Sequence, residues 1–239
     1  MKVVLNIVLA LVCGLLFSCK KETETPKVSY ESPSKAVEKP KADTSKVEIA
    51  DLPIQFQGTQ YLLFPMGEVS ASDRSRYDSG SSSNRLNTKI SNYSENEITG
   101  YLRNVKFQEV KSDSLHALTD KLVMIQSISY LKSQADKTKQ QTLVYLLADA
   151  DTNKDNLIDT NDIQTLYLSD ASGSRFTKVS ADFQEVIDWN VIDSKNRLYF
   201  RTIDDTNKDG AFDRNDRVHY FYLDLLAKDW QSVEYQLTK

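Results

Sequence analysis

Cysteine is almost missing from this chain: there are two in 239 residues, Cys13 and Cys19, and both lie at the very start. Whatever folds beyond them holds neither a disulfide nor a cysteine metal site. Histidine is as scarce. His116 and His219 are too few and too far apart in sequence to suggest a zinc site or a catalytic triad. His219 stands beside Tyr220 in an apolar run, the setting of a satisfied core or rim residue. Glycine occurs seven times, too rarely for a nucleotide-binding fold, and no glycine-rich phosphate loop, GxSxG or HExxH motif is present. The net charge is only −4, which gives no basic footprint for nucleic acid. No apolar run reaches the roughly 20 residues of a membrane span.

The chain is rich in short apolar stretches and in one repeated acidic pattern. Aromatic residues make up 10% of it, enough apolar material for one domain of ordinary size. DTNKDNLIDTND, Asp151 to Asp162, returns 54 residues later as DTNKDGAFDRND, Asp205 to Asp216. In both windows oxygen-bearing side chains stand at positions 1, 3, 5, 9 and 12. In a tightly turning loop this spacing points them at one hard cation, and calcium takes six to eight oxygens. The pattern is close to that of the EF-hand loop. The first loop would offer Asp151, Asn153, Asp155, the carbonyl of Leu157, Asp159 and Asp162. The second would offer Asp205, Asn207, Asp209, the carbonyl of Ala211, Asp213 and Asp216, so two calcium ions are expected. Position 6 needs a left-handed backbone and holds Asn156 and Gly210, which tolerate it. Position 8 is apolar, Ile158 and Phe212, as suits a loop whose back packs on a core. Position 12 is aspartate where EF-hands carry a longer glutamate, which favours a tighter or weaker site. The alternative is an acidic surface turn without metal. Four carboxylates in twelve residues, opposed by one lysine each (Lys154, Lys208), would then repel one another uncompensated.

Residues 1–18 read as an export signal, with Lys2 followed by the fifteen-residue run VVLNIVLALVCGLLF. The ending LFSC resembles the lipobox of bacterial lipoproteins, with Phe17 bulkier than usual there. That resemblance implies acylation of Cys19, loss of Cys13, and membrane attachment through lipid. A plain secretory signal and an uncleaved anchor are the alternatives. From Lys20 to Asp51 the composition turns to Lys, Glu, Ser, Thr and Pro, with Tyr30 the only aromatic residue, and reads as a disordered tether. KKETE after Cys19 weakly resembles the surface-export signals of Bacteroidota lipoproteins, though a charged linker would look the same.

Residues 52–239 read as the folded domain. Similarity between the repeats extends beyond the loops, TLVYLLAD matching NRLYFRTID upstream and DIQTLYLSD matching DRVHYFYLD downstream. The flanks are five to seven residues long and rich in Val, Tyr, Phe and Leu, which favours strands. Each repeat then has four: LVMIQSISYL, TLVYLLAD, the acidic loop, TLYLSD, the turn ASGS and RFTKVS; and EVIDWNVI, RLYFRTID, the second loop, VHYFYLD and WQSVEYQLT. The run 218–223 is apolar on both faces, as in a strand buried between two layers. An earlier unit is read from PIQFQ, QYLLFPMG, a long polar insert from Glu68 to about Glu97, YLRNVKFQEV and LHALTD.

Those blade-like passages resemble TolB-like and WD40-like β-propellers, and the loops resemble those of Bacteroidota lipoproteins described as EF-hand-containing. The resemblance implies an all-β domain of antiparallel four-stranded blades. Three blades fall short of the four to eight that close a propeller, leaving an open stack, a sandwich or a homodimer of six blades. Dockerins also carry paired loops, in a shorter unit with a helix after each, and a dockerin-like assembly module is a further alternative. The expected function is that of a calcium-binding lipoprotein of the cell envelope, anchored in the outer membrane. Its β domain binds a protein or glycan partner without chemistry, and Tyr199, Tyr220, Tyr222, Trp189 and Trp230 could line a ligand face. The rival from another class is a hydrolase of glycan or peptide, whose site the sequence does not locate.

Overall fold

A computed structural model describes residues 26–30, 46–70 and 89–237. The expected signal, Cys19 and most of the polar insert lie outside them. Among the described residues the chain is mostly β, with one short α-helix and with every strand pairing antiparallel.

The central element is β8, Thr142–Ala148, whose sequence TLVYLLA is apolar almost throughout. Alternation sends Leu143, Tyr145 and Leu147 to one side and Val144 and Leu146 to the other, so the strand is buried on both faces. Its neighbours are β7, Met124–Tyr130, and β9, Thr165–Asp170, and a two-residue edge strand β10, Thr177–Lys178, follows β9. This meander from β7 to β10 contains the first acidic loop between its second and third strands. The tyrosine hydroxyl of β8 is satisfied in the core, Tyr145 Oη lying 2.7 Å from Ser169 Oγ.

The second repeat forms a separate meander in the same order: β11 Gln184–Ile192, β12 Arg197–Asp204, β13 Arg217–Asp224 and β14 Val233–Glu234. Its acidic loop also joins strands two and three. Leu198, Phe200, Leu223 and Trp230 pack with Val144, Leu166 and Leu168 of the first meander to make one core. The other core, around Phe56, Phe107, Ile125, Ile128, Leu143 and Tyr145, lies between β8 and a further sheet. That sheet contains β1 Lys46–Ala50, β2 Tyr61–Ser70, β5 Asn104–Glu109 and β6 Leu115–Ala117. The helix α1, Lys132–Thr138, links β7 to β8 and ends on the left-handed Lys139.

Four sequence expectations are corrected. Lys46–Ala50 is a strand paired along β2, although its composition is that of a tether. PIQFQ contributes only the isolated bridge of Ile54 to Leu63. YLRNVKFQEV is broken at Arg103: β4, Glu97–Leu102, carries a hairpin partner β3, Ser91–Ser94, into the middle sheet beside β7, while β5 leaves for β2. The middle sheet therefore has six strands instead of four. Finally, β13 buries one face alone, with His219 and Leu223 inward and Tyr220 and Tyr222 only half covered.

The sheets are locked together at the turn between β9 and β10. Gly173 is left-handed (φ 81°), and a Cβ there would come within 2.7 Å of the Phe107 ring. Both conformation and space demand glycine at this point. Gly173→Ala should therefore cost about 2 kcal/mol of stability, read as a lower urea midpoint at unchanged m-value.

Candidate metal centre

The two acidic loops occupy equivalent places and share most of their internal hydrogen bonds, differing at position 2, where the Thr152 hydroxyl bonds within its loop and the Thr206 hydroxyl bonds Asp204. In each, positions 4 and 6 are left-handed: Lys154 (φ 64°) and Asn156 (φ 69°), Lys208 (φ 59°) and Gly210 (φ 87°). The N–H of position 5 donates to the side chains at positions 1 and 3, Asp155 to Asp151 and Asn153 at 3.1 and 2.9 Å, Asp209 to Asp205 and Asn207 at 3.2 and 2.9 Å. Position 6 donates to the second oxygen of position 1, and position 7 to position 5. Position 12 closes the loop by accepting from positions 2 and 9, Asp162 from Thr152 and Asp159, Asp216 from Thr206 and Asp213. Short polar side chains that bond the backbone two to five residues on are what curl the chain this tightly.

The donor set is entirely oxygen, as a hard cation requires. A carboxylate oxygen has two lone pairs, so those that accept one N–H keep one directed elsewhere, whereas Asp162 Oδ1 already accepts from the Thr152 N–H and hydroxyl and from the Asn153 N–H. Among the described residues, however, no three acidic, histidine or cysteine side chains stand together as a ready-made ligand cluster. The residues fit calcium in kind and order, and the carboxylates here are turned onto the loop backbone.

The loops differ in how they are seated. Asp162 is fully buried, and burial pushes its carboxyl up despite the opposing hydrogen bonds from Asp159, Thr152 and Asn153. Ile158 at position 8 packs on Met124 and Ala148, and Arg103 Nη1 donates to the Ile158 carbonyl at 2.7 Å while its Nε bonds Glu68. In the second loop Asp205 is the buried carboxylate and Phe212 is half-buried.

Sequence reasoning missed the residues that join the loops. Pro26–Tyr30, read as tether, lies across both. The N–H groups of Lys27 and Val28 donate to the Gly210 carbonyl at 2.7 and 3.2 Å, and that of Ser29 donates to the Thr152 carbonyl at 2.9 Å. Thr152 Oγ1 donates back to the Lys27 carbonyl at 2.7 Å, and Lys27 Nζ pairs with Glu185 at 2.6 Å. Val28 is 4% exposed. Tyr30 stands beside Asp205. Desolvation and the neighbouring Asp205, Asp216 and Asp204 carboxylates push its phenol up to about 12. Between this segment and the loops is an open cavity of about 680 Å³, lined by Tyr30, Asn153, Asp155, Lys208 and Asp209. The only sequence signal was the pair Val28 and Tyr30, spaced two apart in a charged run.

Of the aromatic candidates, Trp230 is buried in the core between the two meanders, with the Arg175 guanidinium 4.0 Å above its ring, and Trp189 packs against the same core. Tyr199, Tyr220 and Tyr222 share the outward face of β12 and β13 with Tyr235, in tilted and edge-on pairs with centroids 5.8 to 6.0 Å apart. Such rings interlock and offer no flat platform. His219 is buried, its Nδ1 2.8 Å from Glu234 and its Nε2 3.3 Å from Asp204. His116 is exposed, stacked on Phe107, with Nε2 2.8 Å from the Ser172 carbonyl. The chain matches no family model, no curated protein and no solved structure.

On the tyrosine face, the Arg201 guanidinium bonded to Asp188 holds that carboxyl below the usual carboxylate range. A depressed carboxyl contributes stability above its unfolded pKa of about 3.9, and the contribution is lost as pH falls through the folded value. The pair is half exposed, so its worth is within about 1 kcal/mol. Asp188→Asn should melt slightly below wild type at pH 7. The two melting curves should converge below about pH 4, as differential scanning calorimetry would read.

Proposed function

We propose that this chain is a calcium-binding, membrane-anchored lipoprotein of the cell envelope. In this reading its β domain is a non-catalytic binding module and calcium has a structural part. The observation that carries the proposal is the recurrence of one oxygen-only loop, with one hydrogen-bond pattern, at the same junction of two four-stranded meanders. Each meander is read as a blade-like unit whose second and third strands are closed by an ion. The ligands are Asp151, Asn153, Asp155, the Leu157 carbonyl, Asp159 and Asp162 in the first loop, and Asp205, Asn207, Asp209, the Ala211 carbonyl, Asp213 and Asp216 in the second. The ion supplies positive charge at the point where four carboxylates meet. The chain supplies the curvature, through the left-handed positions 4 and 6. The anchor rests on the lipobox-like LFSC ending at Cys19. A partner of the outward faces is part of the proposal, and its chemistry is left open between protein and glycan.

Titration calorimetry should find two ions bound in the range of about 10⁻⁴ to 10⁻³ M, that of extracellular modules with short chelating arms. Asp155→Ala combined with Asp209→Ala should abolish the binding, and a stoichiometry of zero for the wild type would refute the proposal. Calcium at ten times Kd adds about 1.4 kcal/mol per site. The melting temperature should therefore rise by several degrees from chelator to millimolar calcium, with little change in strand content by circular dichroism. Cys19→Ser should release the exported protein from the membrane fraction, because no acyl chain then holds it.

A further inference from the structure

The segment Pro26–Tyr30 and the two loops form one interaction surface, and we infer that this segment is a strap whose docking couples the two metal sites to each other. The inference rests on the calcium reading above and adds to it a physical link between the ions. The strap is held by three groups of the two loops: the Gly210 carbonyl at position 6 of the second, and the backbone carbonyl and side-chain hydroxyl of Thr152 at position 2 of the first. None of these atoms is a proposed ligand, so strap and ion do not compete for them. They depend on each other through shape. The strap donates from residues 27 to 29, a span of three residues, and needs the two carbonyls at one fixed separation. A loop wrapped on an ion holds its carbonyl more firmly than one shaped by its backbone-to-carboxylate hydrogen bonds alone, in which the four carboxylates still repel one another. Whatever fixes one loop seats half the strap, and a seated strap positions the other loop. By linkage the ions then favour one another's binding.

Position 6 supplies an independent sign of the strap. The first loop carries Asn156 there at φ 69°, so the loop backbone accepts a side chain at that position. In the second loop the same place is Gly210, where a Cβ would come within 2.5 Å of the Val28 carbonyl and 2.9 Å of Pro26 Cβ. The approach of the strap, more than the turn itself, requires glycine there. Burial of Val28 to 4% exposure and the Lys27–Glu185 pair anchor the strap against the domain beyond the loops.

The test compares the full chain in detergent with two variants, Val28→Asn, which places a polar group in the buried seat, and Gly210→Asn, which copies the first loop's residue under the strap. Calcium chloride is titrated calorimetrically, and hydrogen exchange is followed at the Val28 and Ser29 amides in chelator and in calcium. The wild type should bind two ions along a cooperative isotherm, with both amides protected only in calcium. Val28→Asn should still bind two ions, but independently and on the order of 5- to 10-fold more weakly, with both amides unprotected. Gly210→Asn should behave alike. Wild-type and Val28→Asn isotherms that coincide, or amides whose protection ignores calcium, would overturn the strap. Loss of one site in Gly210→Asn while Val28→Asn binds like wild type would do so too. Absence of binding in all three proteins would instead refute the calcium reading on which the strap depends.

Discussion

Burial of β8 on both faces is the constraint from which the rest of the architecture follows. A strand with Leu143, Tyr145 and Leu147 on one side and Val144 and Leu146 on the other must be covered twice. One sheet cannot do this, so the sheet of β1, β2, β5 and β6 covers one face and the β11–β14 meander the other. The cost of a hydroxyl in such a place is met inside the core by the Tyr145–Ser169 bond. The acidic loops then sit at the strand ends, where charge can reach water while Ile158 still reaches Met124 and Ala148.

How much of this was legible depended on how local the determinant was. The tight turn of each loop and its left-handed position 6 were legible, because that geometry is set within twelve residues by Asx-type bonds. The order of four strands in each repeat was legible for the same reason, since apolar runs and turns alternate within about 50 residues. The left-handed Lys154 and Lys208 were not foreseen, because lysine carries no preference for that conformation. Long-range determinants were missed. Arg103 looked like an ordinary polar position inside a strand, yet it ends β4 by bonding a carbonyl 55 residues away and so sends the chain from one sheet to another. Lys46–Ala50 carries a strand-like alternation in Val47 and Ile49, but five residues at the end of a charged stretch were too short a signal without the edge that β2 offers.

Pro26–Tyr30 is the extreme case. Its partners lie 125 and 158 residues along the chain, at Thr152 and Glu185, and the surface it binds does not exist until both meanders have formed. Composition placed it in a tether because such a stretch holds too little apolar surface to fold alone. A segment of that kind can still add itself to a surface made by others, here with Val28 buried and backbone hydrogen bonds to both loops. The two loops, alike in sequence, are made unlike by it: one accepts asparagine at its sixth position and the other has room only for glycine.

The docked strap also fixes a distance. Pro26 follows Cys19 by seven residues, and seven residues fully extended reach at most about 25 Å. If Cys19 carries the lipid, a domain gripping its own strap is held with the loop end toward the bilayer and close above it. With the strap released, the first described attachment to the domain moves back to β1 at Lys46, 27 residues after Cys19, and the bound set by chain length rises to about 90 Å. In the proposed reading, seating or releasing the strap would thus set how far from the lipid the domain can stand, and with it which of its faces a neighbour could touch.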